Sequence, residues 1–268
     1  MVFIYIYYTI DIDVLKKNIK GIDIWLLLVA FFAINVSKIL SVARISLFYK
    51  AIGVELKVFE SICLYYLGMF YNAILPGGIG GDGYKIYRLY KDTQVKLSRL
   101  TSATILDRLS GIVAIAFLLI SVLVFMFLED EELLLKISIC MAVLLLFMLC
   151  WKLFLGKYFR YYKAIGFSSV YWAVWVQVFE LSTILFLALS LGIENQYQYI
   201  AILFFISSIL SVIPISIGGL GIREVIFMNG FIYLGIQEEA GVALGFMFLI
   251  HTSGSNLFCG LCMLKRKK

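Results

Sequence analysis

The chain has 268 residues, 63% of them hydrophobic and only 15% charged, with a mean hydropathy of +0.99. Soluble domains carry about 25% charged residues, so this composition excludes an ordinary soluble enzyme and defines a polytopic membrane protein. The formal net charge of +6 comes from Lys and Arg residues in short connections between apolar segments, where cytoplasmic loops hold them, and it implies topology and no nucleic acid.

Residues 1–21 form an N-terminal segment in which Met1 to Ile10 is apolar but shorter than the roughly 20 residues a crossing needs. Asp11-Ile12-Asp13 has the spacing of a metal-holding pair, but residues this common are weak evidence and a solvated loop is the safer reading. Ile22 to Tyr49 is the first predicted span, with Lys38 and Arg44 near one end, and Arg44, Lys50 and Lys57 make a basic connection. Phe59 to Leu75 is a predicted apolar helix that stops at Pro76; from Asp82 the chain turns polar, with Lys85, Arg88, Lys91, Lys96 and Arg99. Leu100 to Leu128 is the next span and carries Asp107 and Arg108 in its first turns. Adjacent helical residues point in different directions, so these two are expected to pair with partners on other helices rather than with each other.

The acidic turn Glu129-Asp130-Glu131-Glu132 is expected outside, Leu133 to Trp151 crosses back, and Lys152, Lys157, Arg160 and Lys163 mark the cytoplasm. Phe167 to Leu191 spans outward with Gln177 and Glu180 near its middle. Tyr199 to Ile213 leads to a second break, Glu224 to Leu234 follows it, and Ala240 to Leu264 is the last span before a basic cytoplasmic tail, 265–268. The cysteines, Cys63, Cys140, Cys150, Cys259 and Cys262, lie in or beside apolar segments and read as packing residues. Neither a cofactor nor a metal is expected.

The two breaks share one motif. Ile74-Leu75-Pro76-Gly77-Gly78-Ile79-Gly80-Gly81-Asp82-Gly83-Tyr84-Lys85 is matched by Val212-Ile213-Pro214-Ile215-Ser216-Ile217-Gly218-Gly219-Leu220-Gly221-Ile222-Arg223, with Ile, three glycines and a basic residue at equal offsets from the only two prolines. Matched interruptions in two halves point to a transporter's binding site. Loop charges place both flanks of the first break on the basic side and both flanks of the second on the acidic side. The expected fold is therefore an all-α polytopic protein with five crossings and two re-entrant broken helices in an inverted-topology repeat. Its parts are 22–128, a linking helix and loop over 129–165, and 166–264.

Helices that open after such breaks offer free amides and a positive dipole end, which suit an anion such as phosphate. Gly80, Gly81, Asp82, Gly83 and Lys85 in the first copy, and Gly218, Gly219, Gly221, Arg223 and Glu224 in the second, are the candidate substrate-binding residues. Asp82 and Glu224 are placed to balance the two cations. Asp107, Arg108 and Glu180 join them because ionisable groups inside spans are costly to insert. A plainer reading has the glycines serving close helix packing, Lys85 belonging to the basic loop, and His251 being a packed residue.

On Leu75-Pro76-Gly77-Gly78-Ile79-Gly80-Gly81-Asp82, Leu106-Asp107-Arg108 and Ser216-Ile217-Gly218-Gly219-Leu220-Gly221-Ile222-Arg223-Glu224, the chain resembles the flippase-like family named after the transmembrane region of lysylphosphatidylglycerol synthase, over residues 22–264. The resemblance implies movement between leaflets of a lipid with an anionic, aminoacylated or glycosylated head group, at the cell membrane. The partner is then a phospholipid or an isoprenoid-linked sugar, together with a possible lipid synthase or glycosyltransferase. The soluble domain that makes the aminoacylated lipid in bifunctional members is not in this sequence, so aminoacyl transfer is not expected of it alone. The alternatives are a membrane-embedded transferase acting on lipid-linked sugar, or a non-catalytic partner of a lipid synthase.

Overall fold

The computed structural model describes residues 22–74, 80–128, 133–194, 196–212 and 221–256. Gly218 and Gly219, the prolines of both breaks, Asp11 and Asp13 lie outside the described residues. Every regular element among the described residues is helical: α1 Ile24–Ala51, α2 Val58–Ile74, α3 Gly80–Thr93, α4 Leu97–Phe127, α5 Leu133–Tyr158, a 3-10 turn Arg160–Ile165, α6 Gly166–Ser190, α7 Tyr197–Val212, α8 Ile222–Tyr233 and α9 Glu238–Ser255.

Among the described residues, four stretches are long and apolar enough to cross a bilayer: Ile24–Ala51, Leu97–Phe127, Leu133–Tyr158 and Arg160–Ser190. In α5 only 6% of the most apolar window is buried in the protein, and a helix that exposes Leu134, Met141, Leu145, Leu149 and Leu153 needs lipid around it. α2 has 17 residues and α7 has 16, and each runs up to the edge of the described residues.

Two compact units make up the chain, and they divide α1, α2, α3 and α6 between them. The unit of residues 37–68 and 82–178 is built on Phe48, Tyr49, Leu64, Leu89, Leu100, Leu106, Trp151, Leu155 and Tyr162, all buried. Polar pins fix its helices: Trp151 Nε1 donates to Ser169 Oγ at 3.0 Å, and Tyr162 OH donates to the Arg99 carbonyl at 3.0 Å. α1 ends where Gly53, at φ +84°, lets the Gly53 amide reach the Lys50 carbonyl and the Val54 amide reach the Tyr49 carbonyl, each at 3.0 Å. This closes the helix with a Schellman turn and starts the link to α2. Arg44, read from the sequence both as near the end of the first span and as part of a basic connection, lies inside α1 and is buried. The polar stretch after Asp82 forms helix α3.

In the other unit, residues 1–36, 69–81 and 179–268, α8 packs against α7 and α9 through Phe204, Phe227, Phe231, Leu244 and Phe248. Contact with α9 is close enough to exclude side chains. A Cβ on Gly241 would lie 2.6 Å from the Phe227 carbonyl oxygen, and one on Gly245 would lie 3.1 Å from Glu224 Cα. This is a small-x-x-x-small seam of the kind membrane helices use to bring backbones together. Gly241→Leu is expected to force the helices apart and lower stability by at least the ~1–3 kcal/mol of overpacking. Thermal unfolding in detergent checks this, and an unchanged melting temperature would show the seam to be dispensable. His251 on α9 is a packed residue: its Nδ1 is 2.8 Å from the Met247 carbonyl and its Nε2 3.3 Å from the Leu27 carbonyl, with Phe31 edge-on at 6.2 Å.

Candidate functional site

The start of α3 is tied down before it carries charge. The Gly81 amide donates to Asn72 Oδ1 at 2.7 Å, which satisfies one of the donors every helix start leaves open. Asp82 follows in the first turn, where the helix dipole favours a carboxylate, and Lys85 stands one turn on. In the unit of residues 37–68 and 82–178, Asp82 Oδ1 accepts from Lys85 Nζ at 2.6 Å and Oδ2 accepts from Arg108 Nε at 2.5 Å. Both Asp82 and Lys85 are 6% exposed, so Lys85 is no loop cation. Its stem crosses Gly68 on α2, where an added Cβ would meet Lys85 carbons at 3.0–3.1 Å, and its ammonium sits 5.7 Å from the Tyr65 ring centre.

Asp107, the neighbour of Arg108 on α4, turns to α1. Arg44 Nε donates to Asp107 Oδ1 at 2.8 Å and Nη2 to Oδ2 at 3.2 Å, the two-pronged geometry that a guanidinium makes with a carboxylate. One turn earlier, Thr104 Oγ1 lies 3.3 Å from Tyr49 OH. Thus α1, α3 and α4 converge on a buried cluster in which, among the described residues, three cations meet two carboxylates. The adjacent Asp107 and Arg108 do face different helices. Gly83 is exposed and has nothing within 4 Å of where a Cβ would stand, so close approach does not demand a glycine there.

Removing one partner of a desolvated pair strands the other, whereas apolar replacement of both is often tolerated. Asp107→Ala is therefore expected to destabilise the protein by ~3–5 kcal/mol, and Arg44→Met/Asp107→Leu to lie closer to wild type than either single change. Chemical unfolding of the four proteins tests this; a double variant as weak as the worse single would remove the ion pair as the cause.

The second candidate set lies within the unit of residues 1–36, 69–81 and 179–268. α8 opens after Gly221, whose φ of +90° suits glycine, and Glu224 Oε2 accepts the Gly221 amide at 2.8 Å. That is the reaching-back half of a capping box, and it gives the buried Glu224 a structural partner. Arg223 donates from Nε to Ser207 Oγ at 3.3 Å and from Nη2 to Ser208 Oγ at 3.2 Å. Its guanidinium carbon is 4.1 Å from the centre of Phe248 and 5.2 Å from that of Phe204, so two rings hold it by cation–π attraction. Glu180 on α6 and Glu224 both act on its charge.

Sequence reasoning did not single out Arg44, Tyr49, Tyr65, Ser207, Ser208, Phe204 or Phe248. A signal was present for some: positions 204, 207 and 208 share one helix face, and Arg44 sits well short of the end of α1.

Several bilayer-length apolar helices that also bury paired ionisable groups define a multi-pass membrane protein. The chain belongs to the family described as the lysylphosphatidylglycerol synthase TM region, which matches it over residues 1–253. This membership gives it a membrane lipid-related function. No curated protein matches the chain.

Proposed function

We propose that this protein moves a lipid with an anionic, aminoacylated or glycosylated head group from one leaflet to the other. The observation that carries the reading is that Lys85 and Arg223, at equal offsets in the two motif copies, both stand in the first turns of short helices and are both held by exchangeable partners. Lys85 is held by Asp82 within its own helix, so a lipid phosphate replaces Asp82 while Arg108 retains that carboxylate. Arg223 is held by two neutral hydroxyls, so a phosphate gives it stronger, charge-assisted bonds. Asp107, Glu180 and Glu224 balance the cations between substrates. Gly83 leaves the backbone of α3 open to the head group, whereas the Gly81 and Gly221 amides are already taken by Asn72 and Glu224.

The accompanying topology is an inverted repeat of 22–128 and 166–264 joined by 129–165, with one re-entrant break per half, in the cell membrane, and 265–268 in the cytoplasm. The repeated Pro-Gly motif and the contrasting loop charges in the sequence support it. The sequence has no nucleotide-binding motif, so a gradient or mass action drives the movement. A lipid synthase or glycosyltransferase is the partner that supplies the lipid. The purified protein in liposomes with fluorescent phospholipid and lipid-linked-sugar analogues tests the reading: label accessible in each leaflet is expected to redistribute faster than in empty liposomes, and no redistribution of any analogue would overturn it.

A further inference from the structure

A cleft of about 210 Å³ opens between the last turns of α1, the Gly53 turn and the start of α2, with Ser46, Tyr49, Lys50, Glu55 and Ser61 among its walls. A narrower space beyond it shares Ser46, Tyr49 and Ser61 and reaches Lys85. That inner space is only about 10 Å³, room for a single water. Exposed Lys50 and buried Lys85 therefore flank two spaces with shared walls inside the unit of residues 37–68 and 82–178, and a phosphate passes between them only when those walls part. Ser61, 8% exposed, lines both spaces, and its hydroxyl can donate to a guest. A cation at the mouth, a donor midway and a cation at the inner end form a graded path for an anion.

Size narrows the guest. At ~30 Å³ per water the cleft has room for about seven waters, below the ~300–1,000 Å³ of pockets for larger ligands. One small phosphorylated head group fits and an oligosaccharide does not. Glu55, at the same mouth as Lys50, opposes an anion and so gives the test a sign.

We propose that this cleft is the vestibule in which the phosphate of a phospholipid head group binds before it reaches Lys85. The inference rests on the lipid-transport reading, and it is tested by binding alone so that the two fail separately. The full chain in detergent is titrated calorimetrically with dihexanoyl phosphatidylglycerol and, separately, with glycerol 3-phosphate. Lys50→Glu is expected to weaken binding about tenfold and Glu55→Gln to strengthen it a few-fold, in the range that single charges alter at polar interfaces. Ser61→Phe is expected to abolish it. Lys50 and Glu55 are exposed, so those variants should melt like wild type and keep the test valid if Ser61→Phe does not fold. Binding of both probes assigns recognition to the phosphate alone, and binding of the lipid only adds its chains to the site; either result supports the vestibule. No binding of either probe, or wild-type affinity in both charge variants, overturns it. Charge-dependent binding without movement in liposomes would keep the vestibule and remove the transport reading. Movement in liposomes with wild-type affinity in both charge variants would do the reverse.

Discussion

Asp82→Ala is expected to be the most destabilising single substitution in the first cluster. Asp82 is the carboxylate partner of both Lys85 and Arg108, and truncating it takes an ion pair from two cations at once. Loss of one partner from a buried pair costs about 3–5 kcal/mol, set against a total folding stability of about 5–15 kcal/mol. Arg108 limits the damage, because its side chain is 32% exposed and reaches water, whereas Lys85 at 8% does not. Two further variants separate charge from shape. Asp82→Asn retains an acceptor for Lys85 and should lose less than the alanine variant. Asp82→Ala/Lys85→Met removes the stranded ammonium while its thioether chain still covers Gly68, and should recover much of the loss. Unfolding in detergent, followed by helical signal, measures all three. A single Asp82→Ala variant that unfolds like wild type would mean that the cluster is wetted and that its charges do not hold α3 to α4.

The limits of sequence reading here have physical causes. Apolar length alone marks α1, α4, α5 and α6, since nothing but a bilayer accommodates such runs, and the repeated Pro-Gly pattern marks the breaks. That Asp107 and Arg108 have separate partners follows from helix geometry. That the partners are Arg44 and Asp82 does not follow, because the Arg44 to Asp107 bond joins residues 63 apart and no local pattern fixes that register. Lys85 shows the same limit on a smaller scale. It shares a basic run with Arg88 and Lys91, and from composition all three read as loop cations. Once the run is helical, Asp82, Lys85 and buried Leu89 fall on the inner face, while Arg88 pairs outward with Asp92 at 2.7 Å. Around Arg223 the concealment is chemical: two serines in an apolar helix are ordinary residues until a guanidinium is seen to use them.

Arg223 carries the largest expected effect on function. Three properties of the guanidinium act together: charge, a planar fork that reaches Ser207 and Ser208, and a flat face set against Phe248 and Phe204. Alanine removes all three. A hydrogen bond to a charged group contributes about 1.5–3 kcal/mol, and each 1.4 kcal/mol is a factor of ten, so lipid movement should fall by roughly ten- to a hundredfold. Folding should survive, because the groups that touch the guanidinium are hydroxyls and aromatic rings, although Glu180 and Glu224 lose a positive charge that acts on them. Glu224 keeps its bond to the Gly221 amide at 2.8 Å. Arg223→Lys retains the charge but not the fork or the stacked plane and should fall between the two. Leaflet redistribution in liposomes, measured beside unfolding in detergent, resolves the cases. Loss of movement in a stably folded Arg223→Ala, partly restored in Arg223→Lys, is the expected pattern. Full movement in Arg223→Ala would remove the second motif copy from the substrate path and leave the Asp82, Lys85 and Arg108 cluster as the remaining place for the head group.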